Sequence, residues 1–300
     1  MEAQPTIAHD RGVAFQQHRR RLWGIAYRML GSRAEAEDMV QETYLRWHRV
    51  TRDEIRAPQA WLVTAITRLC IDRLRQLRVE REAYVGPWLP EPLVSDSAPP
   101  ADQAAELASD LSVAFLALLE RLAPEERAAF LLRDVFDSDY SEIAQMLGKS
   151  EAACRQIVSR ARGRVRADRP RVQVSAAART RLLDKFVQAV RARDKDALIE
   201  IFAGDATWTA DGGGKAKAAL KVVHGAGRIA QFVLGVLRRH LDRIDFQSIV
   251  INGEPGLALL FEGNVVSVLS VCTDGVRILD VYAILNPEKL RAVRFVHQEH

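Results

Sequence analysis

A row of arginines and polar residues follows one side of a predicted helix that starts after Ser150. At 100° per residue, four of its members recur on one stripe: Arg155, Ser159, Arg162 and Arg166, with Gln156 and Arg160 beside them. Guanidinium groups bind phosphates, and Arg and Gln side chains donate hydrogen bonds to base edges. The adjoining stripe is apolar: Cys154, Val158, Ala161 and Val165. The pattern predicts a helix that buries one side and presents the next to a DNA major groove.

The residues before this helix predict the first half of a helix–turn–helix. Ile143, Ala144 and Leu147 have helical spacing, and Gly148 can adopt the left-handed conformation that ends a helix. Ser150 is a good cap for the second helix. From residue 149 to 169 there are seven basic side chains and two acidic ones, a local net charge of +5 in a chain whose total is only +4. An ordinary solvated basic helix is the alternative for this segment taken alone.

Two further helices with charged faces are predicted near the start of the chain. The first begins at a capping box formed by Ser32 and Glu35, and one of its faces is acidic: Glu35, Glu37, Asp38 and Glu42. A solvated acidic face is the alternative. The second begins at Pro58, is apolar at its start and becomes basic towards its end, with Arg68, Arg73, Arg75 and Arg78. A basic helix end is the arrangement expected where a helix meets a phosphate backbone.

These segments resemble a known family. AEAEDMVQETYLRWHRV followed by PQAWLVTAITRLCIDRLRQ is similar to the second conserved region of extracytoplasmic-function (ECF) sigma factors, and LAPEER with the helix–turn–helix is similar to their fourth region. The resemblance implies that core RNA polymerase and promoter DNA are the partners. It implies polymerase binding by Asp38, Gln41 and Glu42, capture of an unstacked −10 base by the loop at residues 51–57, and backbone contacts near it by Arg68, Arg73 and Arg75. For the −35 element it implies Ser150, Arg155, Gln156, Ser159, Arg160 and Arg162. Leu69 departs from the family pattern, which often has Asn there.

A proline-rich segment separates the two helical regions. Residues 83–105 contain five prolines, which favour extended chain and suit a tether. A passive tether does not need Trp88 and Leu89, because exposing them in water is unfavourable. We therefore predict that the WLPEP sequence from Trp88 through Leu89 and Pro90 docks on another part of the molecule. A loop tucked under its own domain is the alternative.

The chain continues past residue 169 for long enough to form another domain. Two helices are followed by β-rich runs separated by Asn252-Gly253, Gly263-Asn264 and Asp274-Gly275, which predict hairpins in an antiparallel sheet. The order resembles the cone-shaped SnoaL-like (nuclear-transport-factor-2-like) fold that a subgroup of ECF sigma factors carries. The predicted fold class is therefore two all-α domains followed by an α+β domain. The expected boundaries are 10–82, a linker at 83–105, 106–169 and 176–295.

The resemblance to this subgroup implies regulation within the chain. Its motifs are the WLPEP linker, the DGGGK loop (Asp211, Gly212, Gly213, Gly214, Lys215) and the NPEKL segment (Asn286, Pro287, Glu288, Lys289, Leu290), in which Glu288 stands where Asp is usual. We expect the loop and the segment to contact the first DNA-binding domain or the linker near Trp88. The resemblance implies that no separate anti-sigma factor is required. Removing residues from about Gln173 onward is expected to alter polymerase binding or promoter output.

Two other classes of function stay open at this point. A pocket enzyme could use Asp211, His224, Asp280 or Tyr282 as a base, and a DNA-binding regulator could sense a small molecule in the C-terminal pocket. DGGGK lacks the spacing of a phosphate-binding loop. The three scattered cysteines predict buried reduced thiols, with no metal or cofactor expected. With no apolar run of membrane-spanning length and no signal peptide, a cytoplasmic protein without membrane contact is expected.

Overall fold

The computed structural model describes residues 5–50, 55, 57–95, 111–168, 174–238 and 240–293. The loop at residues 51–57, apart from Ile55 and Ala57, lies outside the described residues, as does Gln173. The chain forms two compact units. A helical unit contains Met1–Glu82 and Leu119–Ala167, and a sheet unit contains Ala83–Leu118 and Asp168–His300. The described part of the predicted linker, residues 83–95, therefore belongs to the sheet unit.

The helical unit is built from amphipathic helices whose apolar sides meet. Its helices are α1 (Pro5–Leu30), α2 (Arg33–Arg49), α3 (Pro58–Glu82), α5 (Pro124–Asp134), α6 (Tyr140–Leu147) and α7 (Glu151–Asp168), and α4 (Val113–Leu119) ends at its boundary. The Ser32 side chain accepts a hydrogen bond from the Glu35 amide at the start of α2, and Pro58 begins α3. Leu22, Ile25 and Leu62 are almost completely buried.

The helix–turn–helix is confirmed as α6, a tight turn and α7. Gly148 has φ 63° and ψ 37°, and its amide donates to the Ala144 carbonyl, which ends α6. The Ser150 Oγ accepts from the Ala153 amide at 3.2 Å and caps α7. The predicted apolar stripe is buried: Cys154, Val158, Ala161 and Val165. The polar stripe of α7 is therefore held on the outside by burial of its neighbour.

The sheet unit is an α+β domain with a seven-stranded sheet in the order β1-β4-β5-β6-β7-β2-β3. The strands are β1 (Val94–Ser95), β2 (Phe202–Asp211), β3 (Val223–His224), β4 (Ile244–Ile251), β5 (Glu254–Phe261), β6 (Asn264–Thr273) and β7 (Ile278–Ile284). Its helices are α8 (Ala176–Ala192), α9 (Lys195–Ile201), α10 (Ala226–Leu237) and the short α11 (Pro287–Leu290), with a 3-10 turn at Leu241–Arg243. The strand β1 comes from the predicted linker and pairs with β4.

Two details of the sheet differ from the sequence prediction. The predicted antiparallel sheet contains one parallel pair, β2 with β7, because helices and hairpins intervene between these two strands. The predicted turn at Gly263-Asn264 is shifted by one residue to Glu262-Gly263, since Asn264 already pairs with Phe261. The Asn252-Gly253 turn is confirmed, with φ values of 53° and 83° that suit a tight hairpin.

Each face of the sheet has its own apolar cluster. On the inner face, alternate strand residues such as Trp208, Leu259 and Val271 pack against α8, α9 and α10. On the outer face, Ile249, Ile251, Ala258, Leu260, Val268 and Ile284 pack against Leu89, Val113, Leu290 and Val293. The outer face is therefore covered by the linker, by the start of α4 and by the C-terminal helix α11. The alternation of strand side chains supplies both clusters.

The three cysteines are buried and unpaired, which confirms the prediction. Burial raises the pKa of Cys272 to about 12 and raises the pKa of Cys70 further, so both are thiols at neutral pH. Among the helices of the described ranges, none combines the length and apolar character that a membrane crossing requires.

We predict that Gly256→Ala lowers the stability of the sheet unit. A β-carbon at Gly256 would overlap the Ile251 side chain and lie 2.7 Å from the Leu269 carbonyl oxygen. Overpacking of this kind costs about 1–3 kcal/mol. Thermal denaturation followed by circular dichroism should show a lower midpoint. Gly227→Ala is the control, because nothing lies within 4 Å of that β-carbon; an equal effect of both changes would contradict the prediction.

Candidate polymerase and nucleic-acid interfaces and the linker anchor

The acidic face of α2 lies on the surface of the helical unit. Asp38 and Gln41 are exposed and Glu42 is half-exposed, and their spacing of three and four residues places them side by side on the helix. The Glu42 carboxylate accepts from Arg46 Nε at 2.9 Å. Glu35, on the same helix, instead binds Arg73. The predicted polymerase-binding residues thus form one exposed polar patch.

Arg73 is held by carboxylates of its own unit. Its Nε and Nη2 donate to the two oxygens of Glu35, both at 2.7 Å, and Nη1 donates to Glu80 at 2.8 Å. The hydrogen bonds to Glu35 and then to Glu80 raise the pKa of Arg73. The side chain is three-quarters buried, so this arginine joins α3 to α2 in addition to any role towards DNA.

Arg68 and Arg75 contact the helix–turn–helix within the helical unit. Arg68 donates to the carbonyl oxygens of Met146 at 2.9 Å and Gln145 at 3.0 Å, at the negative end of the α6 dipole. Arg75 donates to Glu125 at 2.8 Å, and the same carboxylate pairs with Lys149 at 3.0 Å. The hydrogen bond from Lys149 is the main cause that lowers the pKa of Glu125. Arg68 and Arg75, which are predicted to contact the −10 element, are therefore bound to residues of the helical region that is predicted to contact the −35 element.

A buried arginine fastens α5 to the first helices of the chain. Arg127 is 1% exposed, its Nε donates to the Arg28 carbonyl at 3.0 Å, and Nη1 pairs with Glu120. Arg81, at the end of α3, also pairs with Glu120 and donates to the Leu30 carbonyl at 3.1 Å. Burial lowers the pKa of Arg81, which the neighbouring Glu120 carboxylate partly offsets. The two helical regions consequently form one unit.

The predicted −35 residues lie on the outer side of α7 and at its start. Ser150, Arg155, Gln156, Ser159 and Arg160 are exposed. Arg155 pairs with Glu151 at 2.9 Å, and its guanidinium lies 4.9 Å from the centroid of the Tyr140 ring. Arg162 is half-buried, unlike the others; its Nε donates to Asp134 at 2.9 Å, and this hydrogen bond raises its pKa. Arg166 lies among the residues whose side chains are not described.

The linker is anchored in the sheet unit by one buried carboxylate. Asp211, at the end of β2, is completely buried. It accepts hydrogen bonds from the Tyr84 hydroxyl at 2.6 Å, the Leu89 amide at 2.8 Å and Lys289 Nζ at 2.6 Å. The Lys289 ammonium also donates to the Leu89 carbonyl and lies 4.1 Å from the centroid of the Trp88 ring. We call these five residues the linker anchor.

The glycines after Asp211 allow the linker to approach closely. A β-carbon at Gly213 would overlap the Asn286 amide and lie 2.7 Å from the Tyr84 hydroxyl, and its φ of 57° also favours glycine. At Gly214, a β-carbon would be 3.2 Å from Val85. At Gly212, it would overlap the Ala216 carbonyl within the same turn. The three glycines are therefore explained by packing, with no phosphate required.

The NPEKL segment completes the anchor from the other side. The Asn286 Oδ1 caps α11 by accepting from the Glu288 amide at 3.0 Å, while its Nδ2 donates to the Tyr84 hydroxyl at 2.9 Å. Pro287 begins α11, and Leu290 joins the outer apolar cluster beside Leu89. Glu288 is exposed and forms an ion pair with Lys215 at 2.5 Å, which ties the segment to the DGGGK loop.

The residues proposed for a pocket enzyme do not line the inner face. Asp211 is occupied by the linker anchor, and His224 is exposed. Asp280 accepts from Thr207 at 2.5 Å, and Tyr282 packs with the outer cluster. The inner face is instead filled by apolar side chains that include Phe186, Trp208 and Phe232. In the described part of the sheet unit, therefore, none of these four residues is placed as a general base on the inner face.

Comparisons with known proteins agree with this geometry. The family model for Sigma-70 region 2 matches residues 14–79, and that for Sigma-70, region 4 matches residues 112–165. The ECF RNA polymerase sigma factor SigJ of Mycobacterium tuberculosis is 39% identical over 248 residues, which are 81% of this chain and 78% of SigJ. The chain belongs to the ECF RNA polymerase sigma factors.

Other relatives extend the likeness to the C-terminal part. The probable ECF sigma factor SigI of M. tuberculosis is 29% identical and covers 94% of this chain and 95% of its own. The crystal structure of SigJ superimposes with a TM-score of 0.73 at 34% identity, covering 95% of this chain and 98% of that one. The sheet unit of this sigma factor therefore has a counterpart in a solved relative and fits a SnoaL-like domain.

Several residues of these sites were missed from the sequence. Tyr84 lies just outside the WLPEP motif, and Lys289 lies inside the NPEKL segment but was not singled out. Arg127 is the last residue of the LAPEER sequence. An aromatic residue before a proline-rich motif is a weak signal. The sequence gives no sign that Arg127 is buried, since the carbonyl that its Nε binds, that of Arg28, is 99 residues away.

We predict that Asp211→Asn loosens the linker of the sigma factor. The change leaves the Lys289 ammonium, whose side chain is 12% exposed, without its carboxylate, and removing one partner of a buried ion pair costs about 3–5 kcal/mol. Hydrogen exchange at the Leu89 amide should accelerate by about 100-fold. Asp205→Asn, at an exposed position of the same strand, is the control. Unchanged exchange at Leu89 would contradict the anchor.

Proposed function

We propose that the SnoaL-like domain of this ECF sigma factor regulates it in cis by holding the linker between its two promoter-binding regions. As a sigma factor, the chain binds core RNA polymerase and directs promoter recognition through regions 2 and 4. It is an initiation factor and performs no chemistry of its own. We place its action in the cytoplasm, and its own C-terminal domain takes the part of a separate anti-sigma factor. The linker anchor around Asp211 carries the proposal.

Region 2 supplies the polymerase contact in this proposal. Asp38, Gln41 and Glu42 form an exposed patch, and a compact acidic patch favours a basic partner surface. A plain DNA-binding regulator would share the helix–turn–helix but would have no need of this patch. The match to region 2 over residues 14–79 favours the sigma factor.

Promoter binding requires that internal contacts of the arginines be exchanged for DNA. Arg68 and Arg75 bind α6 and Glu125 within the helical unit. The −10 and −35 promoter elements are named for positions about 25 base pairs apart, which is roughly 85 Å along B-DNA. Regions 2 and 4 must therefore separate before both elements are bound, and Arg68 and Arg75 then become available to single-stranded DNA. Arg73 must in addition exchange its contacts with Glu35 and Glu80, which lie on α2 and α3. The exposed residues Ser150, Arg155, Gln156, Ser159 and Arg160, with Arg162, would meet the −35 element.

Separation of the two regions depends on the linker, and the linker is held by the sheet unit. Leu89 is 2% exposed, and both its amide and its carbonyl are bound by the linker anchor. A domain fused to the same chain acts at high effective concentration, so it needs no large interface to compete with polymerase and DNA. While the linker is anchored, it keeps regions 2 and 4 from separating as far as the promoter requires. Release of the linker from the sheet unit permits this separation.

We expect Asp38→Arg to weaken binding to core RNA polymerase by at least about tenfold. Charge reversal within an interface costs more than about 1.4 kcal/mol of binding free energy, and 1.4 kcal/mol corresponds to a tenfold change in affinity. Binding of the full chain to purified core enzyme can be followed by fluorescence anisotropy. Asp184→Arg makes the same charge change at an exposed position of α8. Equal affinities of the two variants would remove the patch from the polymerase interface.

We expect Asp211→Asn to raise transcription from a promoter selected from a random pool with purified core enzyme. The released linker lets regions 2 and 4 reach their elements, so output should rise several-fold over Asp205→Asn at equal polymerase binding. Removal of residues from about Gln173 onward should change output as well. Output equal to the control in both variants would exclude regulation in cis, and a fall with Asp211→Asn would show that the anchored linker is the active form.

A further inference from the structure

A tyrosine at the start of α6 contacts both neighbouring helices of the DNA-binding region. Tyr140 is the first residue of α6 and is half-buried. The guanidinium carbon of Arg133, from α5, lies 5.0 Å from the centroid of the tyrosine ring, and that of Arg155, from α7, lies 4.9 Å from it. Both are cation–π contacts, in which the negative face of the ring attracts the cation. One ring thus binds a cation from each side of the helix–turn–helix.

The ring of Tyr140 is held in place by the chain around it. Asp139 caps α6, and its amide donates to the Glu142 carboxylate at 3.2 Å. Arg133 is itself fixed, since its Nη1 donates to the Ser138 carbonyl at 2.9 Å. The start of α6 and the first of the two cations are therefore positioned by contacts that do not involve α7.

Arg155 is held differently from Arg162, the half-buried member of the predicted −35 residues. Arg162 donates through Nε and Nη2 to Asp134, a carboxylate of α5. The carboxylate that binds Arg155 is Glu151, which lies one turn earlier on α7 itself. Of the polar and ring contacts that the described residues make with Arg155, the one with Tyr140 comes from another helix. The tyrosine ring therefore fixes the Arg155 guanidinium relative to the rest of the DNA-binding region.

A ring and a carboxylate affect an arginine in different ways when DNA binds. A carboxylate occupies N–H groups of the guanidinium, so a base edge must compete for them. An aromatic ring attracts the cation as a whole and leaves most of its N–H groups available to a base edge. A long side chain that is already positioned also loses less entropy on binding. Arg155 is exposed, so a guanidinium resting on Tyr140 is both positioned and accessible.

We propose that Tyr140 is a positioning residue for promoter recognition, whose ring holds Arg155 in the orientation in which Arg155 reads the −35 element. The inference rests on the −35 assignment of Arg155 in the proposed function and is independent of the linker anchor. An arginine presented in one orientation can bind two acceptors of the same base, which is the contact that discriminates best between bases. Tyr140 therefore affects the choice among promoter sequences more than the overall affinity for DNA.

Five variants of the full chain separate the ring from its surroundings. Arg155→Ala removes the arginine. Tyr140→Leu and Tyr140→Met both remove the ring, and two such variants are used in case one of them folds poorly. Tyr140→Phe keeps the ring and removes the hydroxyl. Arg164→Ala is the matched control, since it removes an exposed arginine of the same helix that pairs with Glu126 and is not among the predicted −35 residues.

Transcription with purified core enzyme measures the base preference. The template is the selected promoter with its −35 element randomised, and a barcode in the transcribed region identifies the −35 sequence from which each transcript came. Preference at each base pair is a ratio between sequences in one reaction. A loss of folded or active protein therefore cancels from this ratio, and a purely structural role of Tyr140 would leave it unchanged.

Arg155→Ala should abolish the preference at one or two base pairs, which we call the Arg155 positions. Tyr140→Leu and Tyr140→Met should lower the preference at these positions by about two- to fivefold, the effect of an exposed cation–π contact. Tyr140→Phe and Arg164→Ala should follow the wild type there. Adding Tyr140→Leu to Arg155→Ala should change nothing further at these positions, because the two residues act through one contact.

Three results would overturn the proposal. The first is a wild-type preference at the Arg155 positions in both ring-free variants. The second is an equal loss in Tyr140→Phe and Tyr140→Leu, because the hydroxyl and not the ring would then be responsible. The third is a profile of Arg155→Ala that equals that of Arg164→Ala, which would also remove Arg155 from the −35 contacts. Regulation in cis is judged separately, by Asp211→Asn.

Discussion

A carboxylate with no access to water must have its charge matched by the protein, and Asp211 is such a group. Its donors come from two separated parts of the chain: Tyr84 and Leu89 in the linker, and Lys289 in α11. The Asp211 backbone carbonyl accepts from the Leu285 and Asn286 amides. Docking of the linker is therefore part of how the sheet unit neutralises its own interior. Gly213 follows from the same requirement, because a β-carbon there would lie 2.7 Å from the Tyr84 hydroxyl.

The arginines of the helical unit also bind oppositely charged or polar groups of the protein, but these contacts contribute less free energy because they are more exposed. Phosphates, carboxylates and helix-end carbonyls are all acceptors for a guanidinium, so a DNA-binding arginine has internal partners whenever DNA is absent. The side chains of Arg75 and Glu125 are 55% and 36% exposed, and ion pairs at such sites contribute about 0–1 kcal/mol. Such contacts hold regions 2 and 4 together without preventing exchange. Arg73 is less exposed and binds two carboxylates, so its exchange is harder.

Local signals in the sequence account for most of the fold. Gly148, Ser150 and the stripe from Cys154 to Val165 predict the helix–turn–helix, and Asn252-Gly253 predicts a hairpin, because each depends only on residues a few positions apart. The parallel pairing of β2 with β7, the partners of Arg68 and the linker contacts of Tyr84 and Asn252 depend on residues separated by about 70 to 200 positions. Hydrophobic periodicity carries no information about such contacts. The DGGGK and NPEKL motifs were identified by their resemblance to a family, and the structure shows that their residues pack against the linker.

The long sequence separation at the linker anchor also fixes an order of events during synthesis. Leu89 and Asp211 are 122 residues apart, and Leu89 and Lys289 are 200 apart. At roughly 5–20 residues per second, the ribosome finishes regions 2 and 4 about 6–24 seconds before Lys289 is added. During that interval the apolar linker has no sheet to dock on. Regions 2 and 4 of each nascent chain are thus complete before the residues that anchor the linker have been made.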